Sequence, residues 1–233
     1  MKQKYTRQEL ETAPLPRELC KHYDECYVKV ILESLFPLAY TDLQLSDAPD
    51  LRQQHPSVGI EVTNGTDPKE QMVASLFTQH TYATSPEKQE KVLKVLHKNA
   101  CDIPMDGFCT RNYSIADNET RLQWADTLIT EKCNKLQDHY QLFKRNELAI
   151  LINEPIGHDI MMRHSPQISR CNIGTPCFDY IYIITIHTVY QYDTQNSTCA
   201  FFDFASRQFE YAERAKALVV DLFAEQEDTN GET

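Results

Sequence analysis

The feature that most constrains the fold is the alternation of amphipathic helices with short strand-forming runs. Apolar residues recur at three- and four-residue steps over residues 17–36, and a second such stripe covers 119–144. Short runs of β-branched and aliphatic residues follow, at 58–63 and 148–153. This order predicts an α/β fold in which helices flank a central mixed sheet.

The length and composition predict a single domain over residues 1–233. Apolar residues make up 41% of the chain and charged residues 24%, which are ordinary values for a globular protein. Residues 1–16 are polar and contain two prolines, so we expect a loose N-terminal lead-in. We expect a helical insertion at 64–118 and a disordered tail at 225–233.

Charge and glycine content exclude several classes of site. The net charge of −11 offers no basic surplus for a general nucleic-acid or membrane coat. Neither of the glycine-rich phosphate motifs, GxxxxGK[ST] and GxGxxG, occurs. No apolar run approaches the roughly 18 residues of a membrane helix, and the N-terminal segment lacks a signal-peptide core. We therefore predict a cytoplasmic protein whose cysteines are reduced thiols.

Two carboxylates in neighbouring extended segments form the first candidate site. Asp50 follows Pro49, and Glu61 lies between Ile60 and Val62 in the next strand-like run. A carboxylate in an apolar strand needs a cation or several hydrogen-bond donors. Two of them on a hairpin can converge on Mg²⁺, which prefers oxygen ligands. The alternatives are a turn-capping role for Asp50 and a solvated strand face for Glu61.

The first helix offers a third acid. On a helical wheel Glu33 falls beside the edge of the apolar stripe, whereas Glu18, Glu25 and Lys29 lie farther round. We therefore predict Glu33 as an additional metal ligand, with an ordinary boundary position as the alternative.

These residues, in this order, resemble the PD-(D/E)XK nuclease superfamily: Glu33 on a helix, then Pro49-Asp50, then the strand Glu61-Val62-Thr63. The resemblance implies a restriction-endonuclease-like core. It also implies that Asp50 and Glu61 bind Mg²⁺, with Mn²⁺ as a substitute, and that water attacks a phosphodiester of DNA or RNA. The long helix and the strand after it are similar to the pair that follows the motif in that fold.

The chain departs from the family at Thr63, which stands where the motif has a lysine. That lysine helps to orient the attacking water and stabilises charge on the phosphate, and a threonine cannot supply the charge. Lys132 lies near the edge of the apolar stripe of the long helix and Lys135 farther out, so we predict Lys132 first as the replacement. The alternatives are that Lys132 is a lysine on the helix flank with its ammonium in water, and that Thr63 is an ordinary strand residue.

The sequence leaves three functions open. The first is a Mg²⁺-dependent nuclease with nucleic acid as its partner, for which the lysines at 88, 91, 94 and 98 offer one basic stripe or merely a solvated helix face. The second is a module that keeps the fold, has lost the chemistry, and binds a protein or nucleic acid. The third is a metal-dependent hydrolase of another substrate. A homodimer is neither indicated nor excluded.

One irregular segment gathers histidines and cysteines. His158, His164, Cys171 and Cys177 lie within it, but their spacing matches no zinc module. We therefore give zinc little weight.

Overall fold

A computed structural model describes residues 5–66, 68–98, 101–102, 110–111, 118–138, 142–175 and 177–228. The helices are, in chain order, α1 (Arg7–Thr12), α2 (Cys20–Leu35), α3 (Pro68–Thr81), α4 (Pro86–Lys98), α5 (Asn118–Asp138), α6 (His158–Cys171) and α7 (Gln208–Asp228). The strands are β1 (Gln44–Leu45), β2 (Leu51–Gln53), β3 (Val58–Asn64), β4 (Cys101–Asp102), β5 (Thr110–Arg111), β6 (Arg145–Leu151), β7 (Tyr180–Ile184), β8 (Thr188–Asp193) and β9 (Thr198–Asp203). Short 3-10 helices, Arg17–Leu19 and Ala205–Arg207, precede α2 and α7.

The chain divides into two compact units. One consists of Met1–Gly65 together with Leu122–Thr233, and the other of Thr66–Arg121. None of the helices in the described ranges has the length and apolar character that crossing a membrane requires.

The first unit is built on a mixed sheet. Within the described residues, seven strands lie in the order β1-β2-β3-β6-β7-β8-β9. The central strands β3, β6 and β7 are parallel, and every other pair of neighbours is antiparallel. The parallel strands are nearly continuous apolar runs because helices cover both of their faces. The predicted α/β class, a central mixed sheet flanked by helices, is confirmed at this level.

The two faces of the sheet carry separate cores. On one face α2 and α7 pack against a cluster that includes Val28, Ile31, Leu51, Ile60, Val62, Ala149, Tyr182 and Tyr211. On the other face α5 and α6 pack against a cluster that includes Ile129, Leu148, Ile150, Met161, Ile168 and Ile181. Side chains alternate along a strand. Glu61, which lies between Ile60 and Val62, therefore points toward the face that α5 covers.

The predicted loose lead-in is wrong for residues 7–12, which form α1. Thr6 caps this helix: its hydroxyl accepts from the backbone N–H of Glu9, and the Glu9 carboxylate accepts from the backbone N–H of Thr6. This capping box needs only a threonine and a glutamate three residues apart, so it is visible in the sequence. Leu10 then packs into a small core with α2 and α7.

Three further segments differ from the expectations. Helix α6 lies where no periodicity was assigned, and it contains Pro166. The run from 179 to 190 is two strands rather than one, because Thr185 and Thr188 close a turn between β7 and β8. Helix α7 extends to Asp228, four residues into the predicted disordered tail, and residues 229–233 lie outside the described part.

The second unit contains α3 and α4, whose small core includes Val73 and Leu96, and the antiparallel pair β4–β5. Its bounds, Thr66–Arg121, lie close to those of the predicted helical insertion at 64–118. The segment forms a compact unit of its own.

Candidate functional site

Asp50 and Glu61 occupy neighbouring positions on adjacent strands. Leu51 of β2 pairs with Ile60 of β3. Asp50 comes immediately before Leu51 and Glu61 immediately after Ile60, so the two acids occupy the next position along this antiparallel pair. Both carboxylates are buried, with 3% and 7% of their surfaces exposed. Two acids so placed at the edge of a core require compensating positive charge or hydrogen-bond donors.

Asp50 is held by one backbone donor and one ammonium. Its Oδ2 accepts from the backbone N–H of Val62 at 2.8 Å, beyond the last residue with which β2 pairs. Its Oδ1 lies 2.9 Å from Nζ of Lys21. The Asp50 carboxylate therefore accepts from a backbone N–H of β3 that lies beyond the pairing with β2, and its other oxygen faces the Lys21 ammonium.

Glu61 is paired with the lysine that the sequence analysis put first. Nζ of Lys132, on α5, donates to Oε1 of Glu61 at 2.5 Å. The Lys132 side chain is only 14% exposed, so water screens this ion pair less than it would at the surface. Lys135, three residues later on α5, is exposed.

The start of α2 brings a further acid to Asp50. Oε1 of Glu25 lies 3.2 Å from Nζ of Lys21, the same ammonium that pairs with Asp50. Burial, and next the charge of Asp50, raise the pKa of Glu25 above its usual value. Nearby, Asn64 at the end of β3 donates to Asp24 at 3.1 Å, and burial raises the pKa of Asp24 to about 6. The first turns of α2 therefore line the Asp50 side of the site.

Glu33 does not join this group. Its Oε1 accepts from Nζ of Lys29 at 2.6 Å and from the backbone N–H of Leu43 at 2.8 Å. Glu25, two turns earlier, is the α2 acid that lies beside Asp50. The wheel favoured Glu33 because it measures only the stripe that packs on the sheet, whereas Glu25 is linked to Asp50 through the Lys21 ammonium that the two carboxylates share. Thr63 is half-buried on β3 and pairs in register with Ile150 of β6.

The donor set fits a hard cation with few protein ligands. Across the described ranges, no group of three or more His, Cys, Asp or Glu side chains is arranged to hold a metal ion. A Mg²⁺ centre needs fewer, because one or two carboxylates suffice when waters and substrate phosphate supply the other ligands. Asp50 and Glu61 are two such carboxylates on adjacent strands, and Glu25 shares the Lys21 ammonium with Asp50. An all-oxygen set favours Mg²⁺ or Mn²⁺ over zinc.

The two histidines of the later segment have different partners, and His164 and Cys171 share a contact with Asp126. The ring centroids of His158 and Phe201 are 4.2 Å apart, and Nε2 of His164 lies 2.8 Å from Oδ1 of Asp126. Cys171 is buried, and burial raises the pKa of its thiol. A raised thiol pKa lowers the fraction of thiolate, which is the reactive and metal-binding form.

A second buried acid, Glu147 on β6, was not singled out from the sequence. It is fully buried on the α2 face, accepts from the Tyr40 hydroxyl at 2.6 Å, and forms an ion pair with Arg145. The Tyr40 hydroxyl also bonds to that of Tyr182. Burial, which the charge of Arg145 opposes, raises the pKa of Glu147 to about 7.

A small cavity lies beside Glu61. Its lining residues are Pro49, Gly59, Glu61, Leu136, Asn146, Glu147 and Phe178. Gly59 is required there, because a Cβ at this position would lie 2.6 Å from Cδ2 of Phe143 and 2.8 Å from Cγ of Pro49. The close approach of β3 to Pro49 therefore fixes the turn that carries Asp50.

Comparison of the chain with protein-family models, with curated proteins and with solved structures found no match in any of the three. The function is therefore argued from the site itself.

Proposed function

We propose that the chain is a Mg²⁺-dependent nuclease with a restriction-endonuclease-like core, which hydrolyses phosphodiester bonds in DNA or RNA. The observation that carries the proposal is the contact between Lys132 and Glu61, next to Asp50. Two carboxylates and one ammonium are the parts that the PD-(D/E)XK motif combines. In this chain the ammonium comes from α5 in place of the strand position held by Thr63.

The order of elements around the site supports the same proposal. Helix α2 precedes the antiparallel pair β2–β3. After the elements α3 to β5, the chain continues with α5 and then with β6, which is parallel to β3. Helices α2 and α5 pack on opposite faces of the sheet. This agrees with the helix, hairpin, helix and strand that the resemblance implies.

Asp50 and Glu61 would hold the metal ion, with Glu25 as a further ligand. When bound, Mg²⁺ lowers the pKa of a coordinated water and offsets negative charge on the phosphate. The backbone N–H of Val62 fixes Asp50, so this carboxylate keeps its orientation. Lys132 carries its ammonium at Glu61, where it can donate to the attacking water or to a non-bridging phosphate oxygen.

A degenerate binding module is the second candidate, and the ion pairs themselves favour it. Asp50 is already neutralised by Lys21, and Glu61 by Lys132. Such a closed set of pairs satisfies buried carboxylates without a metal ion. A chain of this kind would keep the fold and bind a protein or nucleic acid without cleaving it.

Metal binding separates the two candidates. Mn²⁺ is titrated into the purified chain and free Mn²⁺ is followed by EPR, for the wild type and for Asp50→Asn and Glu61→Gln. We expect binding that both substitutions abolish. Glu33→Gln is the matched control, because Glu33 is also paired with a lysine yet lies away from Asp50, and it should bind like the wild type.

Cleavage of single- and double-stranded DNA and RNA in the presence of Mg²⁺ then identifies the substrate. Binding that survives both Asp50→Asn and Glu61→Gln contradicts the site assignment. Absence of Mn²⁺ binding through Asp50 and Glu61 favours the degenerate module, whose buried carboxylates are already paired with lysines.

A further inference from the structure

Lys21 lies where two carboxylates of the proposed metal site converge. Its Nζ is 2.9 Å from Oδ1 of Asp50 and 3.2 Å from Oε1 of Glu25. A single positive charge between two carboxylate oxygens is the arrangement that a bound cation would adopt there. In the structure, the Lys21 ammonium has that role.

The exposures of the partners differ sharply. The side chains of Asp50 and Glu25 are 4% and 5% exposed, whereas that of Lys21 is 69% exposed. The two acids are therefore enclosed by the fold, while the lysine reaches them from the solvent side on a flexible chain. The long lysine side chain can move its ammonium into water, but the two buried carboxylates then require another cation in its place.

Each acid keeps a second anchor that does not depend on Lys21. Oδ2 of Asp50 accepts from the backbone N–H of Val62 at 2.8 Å. Oε2 of Glu25 lies 3.2 Å from Nδ1 of His22. Withdrawal of the ammonium would therefore leave both carboxylates in position, each with one oxygen facing the vacated point.

We propose that Lys21 is a tethered competitor of the metal ion: its ammonium neutralises Asp50 and Glu25 in the metal-free chain, and a divalent cation binds only by displacing it. This inference rests on the proposed function. It adds that the chain sets its own threshold for metal binding, because the cation must replace an ammonium already in place. It predicts that removal of Lys21 tightens metal binding, the opposite of what a ligand-supporting residue would do.

The test compares Lys21→Met with Lys29→Met. Both lysines are on α2, and each pairs with a glutamate four residues later, but Lys29 pairs with Glu33, away from Asp50. With free Mn²⁺ followed by EPR, we expect Lys21→Met to lower the dissociation constant by about threefold to tenfold, as for loss of a partly exposed ion pair. Lys29→Met should leave it unchanged. Lys21→Gln, which keeps a polar side chain, should tighten binding as Lys21→Met does.

The outcomes distinguish this inference from the proposed function. The inference is supported if both Lys21 variants bind Mn²⁺ more tightly than the wild type and lose this binding when Asp50→Asn is added. The same result supports it if the wild type binds Mn²⁺ too weakly to measure. Equal or weaker binding in folded Lys21 variants, beside a wild type that binds through Asp50 and Glu61, overturns the inference and leaves the nuclease proposal standing. Absence of binding in the wild type and in both Lys21 variants overturns the two together.

Discussion

Nζ of Lys132 lies 2.5 Å from Oε1 of Glu61, although the two residues are 71 positions apart. The whole second unit, Thr66–Arg121, lies between them in the chain, and α5 begins at Asn118 near the end of that unit. The contact depends on two local features. Alternation along β3 directs Glu61 to the face that α5 covers, and Lys132 lies on the flank of α5 beside its buried stripe.

Replacement of Lys132 by methionine tests whether this ammonium takes part in catalysis. The change keeps the aliphatic chain and removes the charge. Loss of a donor to developing charge lowers catalysis roughly 10²- to 10³-fold, so cleavage should fall by about that factor. The measurement is single-turnover cleavage of the substrate found in the screen, at saturating Mg²⁺. Binding of Mn²⁺ should persist, because Asp50 and Glu61 remain.

Lys135→Met is the matched control for that experiment. Lys135 is exposed on the same helix and should be dispensable. Equal losses in the two variants, or none in Lys132→Met, would contradict a catalytic role for Lys132.

Thr63 allows the converse experiment. If Lys132 replaces the motif lysine, an ammonium at position 63 should restore the activity that is lost when Lys132 is removed. Thr63 lies two residues after Glu61 on β3, on the same face of the strand, and is half-buried. We expect the double variant Thr63→Lys, Lys132→Met to cleave at least about tenfold faster than Lys132→Met alone, since an oriented cation is restored beside the phosphate.

Thr63→Gln combined with Lys132→Met controls for side-chain size and should show no recovery. Circular dichroism checks that both double variants fold. A folded Thr63→Lys double variant as slow as Lys132→Met would argue that Lys132 acts in some other way.

Much of the fold follows from local patterns, and the differences have physical causes. The stripe over 17–36 predicts α2, and the β-branched run at 58–63 predicts β3, because each pattern depends on residues close in sequence. Helix α6 has no such clear signal, since Pro166 interrupts its periodicity and its buried residues are widely spaced. The break between β7 and β8 depends on the hydroxyl of Thr185, whose bond to the Thr188 backbone closes the turn.

The candidate site divides in the same way. Asp50 and Glu61, eleven positions apart, are predicted as neighbours because a hairpin joins them. Glu25 is linked to Asp50, 25 residues later in the chain, through the Lys21 ammonium that both carboxylates share, and a helical wheel does not include such a contact. Glu147 owes its environment to Tyr40, 107 positions away. Long-range contacts of this kind set the charge state of a residue without leaving a local pattern.

Glu147 should make the stability of the chain depend on pH. Its pKa rises from 4.5 to about 7 on folding. The folded state therefore binds this proton more tightly than the unfolded state does. The stabilisation is fully present below about pH 4.5 and is lost as the pH rises through about 7. Glu147→Gln cannot ionise but keeps an oxygen for the Tyr40 hydroxyl, so its free energy of unfolding should fall less over that range.

Urea denaturation of the wild type and Glu147→Gln at several pH values between 4.5 and 8 measures the difference between the two proteins. Comparison with the wild type cancels the contributions of other titrating groups. Parallel pH profiles for the two proteins would show that Glu147 keeps the same protonation state in the folded and unfolded chains.

Substitution of Gly59 tests whether the packing of β3 against Pro49 positions the proposed metal site. A Cβ at Gly59 would lie 2.6 Å from Cδ2 of Phe143 and 2.8 Å from Cγ of Pro49, so Gly59→Ala forces a shift at both contacts. We expect a loss of about 1–3 kcal/mol in the free energy of unfolding, as for other overpacked cores. Because Pro49 precedes Asp50, Mn²⁺ binding should weaken as well.

Gly157→Ala is the control, since its Cβ would meet only Ile160 at 3.5 Å. This substitution should lower the free energy of unfolding by less than about 1 kcal/mol and leave Mn²⁺ binding intact. Weaker metal binding in Gly59→Ala alone would tie the position of Asp50 to the packing of β3, whereas unchanged binding in a destabilised Gly59→Ala would show that metal binding at Asp50 tolerates the strain at Pro49.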